Sequence, residues 1–343
     1  MARRIGTAFW NRSLQRTLNA MTRTAIRAGS KAVTQALGVA PRARKTPAIK
    51  EPAATKAHWI TGFAVGAAGA RRYRLYKPPG VRPNERLPLL VMLHGCGQDA
   101  EALAASTQMN RIAARARFLV LYPEQDRLSN AQGCWNWYDT RSGRAQGEAG
   151  AIEAAIDQVC LLQPVDPNRI ALAGLSAGAG MAALLATHRP ARFRAIAMHS
   201  GIGPGVAHSS ATALSAMGGR REAALPLAPL AAGTHLPALL VIQGSIDRLV
   251  APGNGAEVTR LWATREGAKP GVPRTVQRGA RYPATVTDYR TRGRLVATLC
   301  EINGLGHAWS GGAAGRTYSD PKGPDASRMI WAFVAKQFAI ARD

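Results

Sequence analysis

Three residues of this sequence have the types, and stand in the order, that nucleophilic acyl transfer requires: Ser176, Asp247 and His307. A serine hydroxyl is a weak nucleophile until a base takes its proton, and the base works best when an acid orients it. Ser176 lies in Gly174-Leu175-Ser176-Ala177-Gly178, between a short apolar run and an alanine-rich helical pattern. This Gly-x-Ser-x-Gly pattern, in a strand–turn–helix context, puts a hydroxyl on an exposed and strained turn. Side chains at 174 or 178 would collide with the neighbouring strand and helix, which is why both positions call for glycine. The helix that begins there aims backbone N–H groups, and its positive dipole end, at the oxyanion of an attacked carbonyl.

The sequence contains seven histidines. His307 is the best base among them, because it follows the last strand pattern in a loop softened by Gly304, Gly306, Gly311 and Gly312. His94 comes before the nucleophile, in His94-Gly95-Cys96-Gly97-Gln98, and fits a loop that contributes an oxyanion donor. The expected donors are the backbone N–H groups of Cys96 and Ala177. His199, in Met198-His199-Ser200-Gly201, reads as a core histidine, and His58, His188, His208 and His235 have nothing chemical beside them. Asp247 follows an apolar strand pattern, where a carboxylate lies at the carboxyl edge of a sheet. Asp288 and Asp320 are weaker placements, and Asp126 and Asp139 come too early for the order Ser, acid, His.

The elements that must position these groups follow from hydrophobic period. Trp59–Val65 and Arg71–Tyr76 alternate and predict an antiparallel hairpin, while Leu87–Leu93, Phe118–Tyr122, Ala195–Met198 and Leu239–Gln243 are apolar runs expected of buried strands. Helices are predicted over Ala100–Arg117, Glu148–Leu162, Ala256–Glu266 and Asp325–Ala341. Thr285–Tyr289 and Leu295–Ile302 predict a late strand pair, and Gly201–His235 a lid or cap segment. Strands alternating with helices over nearly 280 residues predict one α/β domain with a mainly parallel sheet and helices on both faces.

The chain of 343 residues has a formal charge of +25. Residues 1–57 hold twelve Lys and Arg against the single acid Glu51, a net +11. Residues 1–40 are acid-free, with Ile5, Phe9, Leu14, Leu18 and Met21 spaced against Arg12, Arg16, Arg23 and Arg27, which predicts a basic amphipathic segment suited to an anionic or apolar surface. Pro41 to Lys56 reads as a linker, so the catalytic domain is expected over residues 58–343. No basic cluster is interleaved with aromatics, and nucleic acid is not an expected partner. No run of 18 apolar residues predicts a transmembrane helix, and no uninterrupted apolar core near the start predicts a secretory signal. Cys96, Cys134, Cys160 and Cys300 allow three pairings if all are oxidised. A Cys96–Cys134 bridge would hold the Trp135 loop at the site; the alternative leaves both as thiols. No Cys-x-x-Cys spacing suggests zinc.

Five motifs carry a resemblance: Leu93-His-Gly-Cys-Gly-Gln98, Gly133-Cys-Trp-Asn-Trp137, Gly174-Leu-Ser-Ala-Gly178, Gly244-Ser-Ile-Asp247 and Gly304-Leu-Gly-His-Ala-Trp-Ser-Gly-Gly312. Together they resemble the catalytic domain of poly(3-hydroxybutyrate) depolymerases, serine esterases grouped with feruloyl and acetylxylan esterases. The resemblance covers about residues 58–340 and implies an α/β-hydrolase fold. It implies Ser176 as nucleophile, His307 as general base, Asp247 as its partner, an acyl-enzyme intermediate, and neither metal nor cofactor. It also implies that Trp309, Trp135 and Trp137 line a crevice for the polyester, and His94 is counted with them as a substrate contact. Secreted members begin with a signal peptide and end with a linker and a polymer-binding domain. Neither pattern is found in this sequence, which predicts a cytoplasmic enzyme acting on storage granules, with residues 1–40 as the surface anchor. Secretion by a non-standard route is the alternative location, and feruloyl or acetyl groups on polysaccharide are the alternative substrate.

Overall fold

The computed structural model describes residues 58–82, 84–220 and 234–340. The alternating runs at the head of that region form a hairpin, β1 (His58–Gly66) with β2 (Gly69–Lys77), antiparallel from His58 opposite Lys77 to Gly66 opposite Gly69. The apolar runs become β3 (Leu87–Leu93), β4 (Leu119–Pro123), β5 (Val165–Leu175), β6 (Ala195–His199) and β7 (Ala238–Gly244). The short strands β8 (Lys269–Pro270) and β9 (Arg274–Val276) precede a long antiparallel pair, β10 (Ala284–Thr291) and β11 (Arg294–Ile302). The sheet runs β1-β2-β4-β3-β5-β6-β7-β11-β10-β8, with β9 against β10. Every neighbour pair from β4 across to β11 is parallel, and the antiparallel pairs lie on the two flanks. A separate parallel pair, β12 (Trp309–Ser310) and β13 (Ser319–Asp320), follows the main sheet.

All seven residues of β3 are buried because helices cover both faces of the sheet. On one face α1 (Ala100–Thr107), α2 (Met109–Ala116) and, from the far end of the chain, a closing helix over Ala326–Ala339 contribute Leu103, Met109, Ile330 and Val334 to the buried cluster that holds Leu90 and Met92. On the other face α3 (Arg144–Leu162), α4 (Ala177–His188), α5 (Ser210–Met217) and α6 (Gly253–Arg265) contribute Ile152, Met181, Ala213 and Trp262 to the buried cluster that holds Leu89 and Val91. The closing helix is α7. Each fully buried Leu or Met side chain contributes about 1.5–3 kcal/mol, so the period-2 alternation of β3 sets the register of both layers.

Where a single helix over Ala100–Arg117 is expected, the chain breaks at Gln108, which adopts φ 54°. The break turns the last carbonyls of α1 outward. Ser106 O accepts the Ala313 N–H at 2.8 Å, and Thr107 O accepts the Ser327 hydroxyl at 2.7 Å. The helix ends early because its terminal acceptors hold the Ala313 loop and the first turn of the closing helix. The expected cap segment contains α5, while its residues 221–233 lie outside the described residues, as do residues 1–57 with their expected basic amphipathic segment. Among the described residues no helix is long and apolar enough to cross a membrane.

Candidate active site

Ser176 stands between β5 and α4 at φ 56° and ψ −120°, a backbone state that costs an L-residue of order 1–3 kcal/mol. Its neighbours explain how the chain tolerates this. A Cβ on Gly174 would lie 2.4 Å from the Gly178 carbonyl carbon, so strand and helix touch backbone to backbone. The Ser176 N–H donates to His199 O at 2.9 Å, and its carbonyl accepts from Ala179 and Gly180 N–H groups as the helix starts. The side chain is half-buried, and among the described residues its hydroxyl has no hydrogen-bond partner.

Asp247 and His307 are brought together from 60 residues apart: Nδ1 of His307 lies 2.8 Å from Oδ2 of Asp247. Two turns are stitched to make this contact. Ser245 N–H donates to Ile302 O at 2.9 Å, Ile246 N–H to Leu305 O at 3.1 Å, and Gly304 N–H to the Ser245 hydroxyl at 3.0 Å. Gly244 is required in that seam, since a Cβ there would meet Leu305 O at 2.2 Å. The other carboxylate oxygen, Oδ1, accepts the N–H groups of Leu249 at 2.9 Å and Val250 at 2.8 Å. Burial pushes the Asp247 carboxyl up, but the His307 bond and charge and the two backbone donors outweigh it and hold the group below its ordinary value. An ionised carboxylate only accepts, so Nδ1 of His307 carries the proton and Nε2 is left free as a base. The His307 side chain is 9% exposed and that of Asp247 is closed off entirely.

The loop after β3 packs on the serine. A Cβ on Gly95 would sit 3.6 Å from the Ser176 Cβ. Gln98 Oε1 accepts the Gly95 N–H at 3.0 Å and Gln132 O accepts the Gly97 N–H at 2.9 Å, whereas the Cys96 N–H between them has no acceptor among the described residues. Ala177 is the first residue of α4, and the opening N–H groups of a helix have no intrahelical partner. Two donors without a partner among the described residues therefore flank the serine, an arrangement that can stabilise a tetrahedral oxyanion. Cys96 is cross-linked to Cys134, which fastens the loop to the Trp135 segment; Cys160 and Cys300 are free.

The expectation that His94, Trp135 and Trp309 contact substrate is corrected by their burial. His94 is 1% exposed, and Trp135 and Trp309 are fully enclosed. Their polar atoms are occupied within the protein. Trp135 Nε1 donates to His94 O at 3.1 Å, Trp309 Nε1 donates to Ser327 Oγ at 3.0 Å, and His94 Nε2 accepts the Gln125 N–H at 3.0 Å. Burial pushes the His94 imidazole down to about 4, so it stays neutral. These residues tie the loop after β3 to the Trp135 segment and the loop after β11 to Ser327. Trp137 keeps 6% exposure and lies over Gly180 on α4, whose Cβ would meet its ring at 2.9 Å.

Several supporting residues gave no sequence signal. Buried Glu148 accepts the Asn136 N–H at 2.8 Å and so fixes the tryptophan loop, but it reads as an ordinary turn of α3. Gln243 donates to Asp247 Oδ2 at 3.3 Å from inside β7. Tyr318, at φ 53°, sets its ring edge-on to His307 with centroids 6.1 Å apart. A tertiary contact across 11 to 12 residues, or between strand and loop, leaves no periodic mark.

Comparison with known proteins gives the family and the fold. The family model described as "Esterase PHB depolymerase" matches residues 71–271. Poly(3-hydroxyalkanoate) depolymerase C of Paucimonas lemoignei is 30% identical over 258 residues, covering 72% of this chain and 60% of that protein, so the chain matches less than two thirds of that relative's length. Feruloyl esterase B of Thermothelomyces thermophilus is 26% identical over 61% of this chain and 75% of its own. Among solved structures, the acetyl xylan esterase from Aspergillus awamori superposes with a TM-score of 0.58 at 19% identity, covering 73% of this chain and 93% of that one, a likeness of fold. The chain belongs to the PHB depolymerase family of carboxylic ester hydrolases, built on the α/β-hydrolase fold.

Proposed function

We propose that this protein is a serine esterase that cleaves short-chain polyhydroxyalkanoate, with Ser176, His307 and Asp247 as its catalytic residues and residues 58–343 as its catalytic domain. The single observation that carries the reading is the Asp247–His307 bond at 2.8 Å, which frees Nε2 as a base in the fold whose elbow presents Ser176. His307 Nε2 takes the Ser176 proton as Oγ attacks the ester carbonyl. The oxyanion forms against the Cys96 and Ala177 N–H groups. The imidazolium then returns the proton to the departing alkoxide, leaving an acyl-enzyme that water, activated by the same base, hydrolyses. The serine–base bond absent from the free enzyme is expected to close in the substrate complex.

Polyester as the acyl donor is supported by the family match and by the depolymerase relative. Residues 1–40 are proposed to hold the enzyme on the granule or another anionic surface. The test is product analysis on an amorphous poly(3-hydroxybutyrate) suspension beside methyl ferulate and acetylated xylan. Clearing with release of hydroxybutyrate oligomers, lost in Ser176→Ala, supports the reading; turnover of only the ferulate or the xylan moves the substrate to the polysaccharide esters.

A further inference from the structure

We propose that His199 is a positioning residue that locks the Ser176 elbow and the His307 loop to one another, an inference that rests on the serine-esterase reading above. The main chain of His199 is bonded to the nucleophile: its carbonyl accepts the Ser176 N–H at 2.9 Å. Its ring reaches the other way. Nε2 accepts the Ser310 N–H at 3.1 Å, three residues beyond His307, and the ring stacks on Trp309 with centroids 5.1 Å apart and planes 23° from parallel. Nδ1 lies 3.1 Å from the Ser200 hydroxyl, and Ser200 holds φ 51°. One fully buried residue thus grips both partners of the proton transfer without touching either reacting atom.

The contact needs an acceptor, and apolar bulk cannot replace it. Among the described residues the buried Ser310 N–H has no acceptor other than this ring. A side chain of the same volume with no acceptor would leave that donor stranded and let the 307–310 loop shift. Burial, with the nearby His307 charge, holds the imidazole down at about 3, so Nε2 keeps its lone pair at every working pH. Misplacement of a reacting group by about 1 Å costs up to about 100-fold in rate while ground-state binding is largely kept.

The test compares His199→Met with His199→Gln, side chains of similar volume of which only glutamine carries a strong acceptor. Turnover of a soluble short-chain ester is measured per active site, counted by titration with a phosphonate that labels Ser176, so misfolded molecules drop out of the rate. The inference expects kcat of H199M to fall by between about 10- and 100-fold with KM within about threefold, and H199Q to recover most of the loss. Wild-type kcat in H199M, or equal losses in both variants, overturns it. If H199M yields no titratable sites, Ser200→Ala, which releases Nδ1 without emptying the core, must give a smaller loss confined to kcat; an unchanged kcat there overturns the inference. Ser176→Ala run alongside separates the two claims, since activity surviving in that variant removes the parent reading instead.

Discussion

A Cβ on Gly178 would lie 2.2 Å from the carbonyl oxygen of Leu93 and 2.5 Å from that of His94. The first turn of α4 is therefore pressed onto the end of β3 and onto the loop that carries the Cys96 N–H. Gly178→Ala is expected to lever the elbow away from that loop. Overpacking of this kind costs about 1–3 kcal/mol, so the melting temperature falls and ester turnover falls at least about tenfold with it. Gly253→Ala is the matched control, because nothing lies within 4 Å of the added methyl. Its melt and turnover are expected to match the parent.

Asp247→Asn removes the charge and keeps the shape. The amide can donate to Nδ1 of His307, which moves the ring proton to Nε2 and leaves no base facing the serine. A loss of about 10⁴-fold in kcat is expected from this tautomer change, with a folded protein by circular dichroism. A loss under tenfold would mean that the 2.8 Å contact does not set the base.

Mild acid should destabilise the fold through two buried imidazoles. His94 is held down to about 4 and His199 to about 3, both first by burial. Above pH 6.5 the imidazoles are neutral in the folded and unfolded chains, so neither contributes a pH dependence. As pH falls below 6.5 the unfolded chain binds protons that the folded chain refuses, and stability drops by up to about 1.4 kcal/mol per pH unit for each ring. Urea midpoints are expected to fall between pH 7 and pH 5, and less steeply in His94→Gln. Equal midpoints at the two pH values would contradict the neutral, buried assignment.

Much of this architecture can be read from residue order. Leu87–Leu93 declares itself as a central strand because it is apolar throughout, and the pair Gly174 and Gly178 marks the elbow because no other residue fits the close backbone approach. The break at Gln108 is hidden, since glutamine is a good helix former and the reason for the break lies more than 200 residues away, at Ala313 and Ser327. The burial of Trp135 and Trp309 is hidden for a related reason. A tryptophan in a polar loop looks like a ligand surface until its N–H finds His94 O or Ser327 Oγ. His199 reads as core, and it is core; what sequence cannot give is that its two sides face the serine and the base loop.

The Cys96–Cys134 cross-link closes a loop of 38 residues around the oxyanion segment. The double variant Cys96→Ser, Cys134→Ser keeps the local volume and frees the loop. Loss of about 2–4 kcal/mol of stability is expected, together with a fall in kcat approaching the 10²-fold cost of one misplaced oxyanion donor. Thermal melts and kcat measured well below the new melting temperature separate the two effects. A destabilised enzyme with full kcat would show that the Cys96 N–H is held by other contacts.

Covalent chemistry at the Ser176 hydroxyl is examined most directly by rapid acid quench during turnover of an activated butyrate ester. Peptide mass analysis is predicted to find one butyryl group on the peptide containing Ser176, formed before steady-state product release and absent in Ser176→Ala. Full steady-state turnover in Ser176→Ala, or butyryl carried on a different residue, would contradict it.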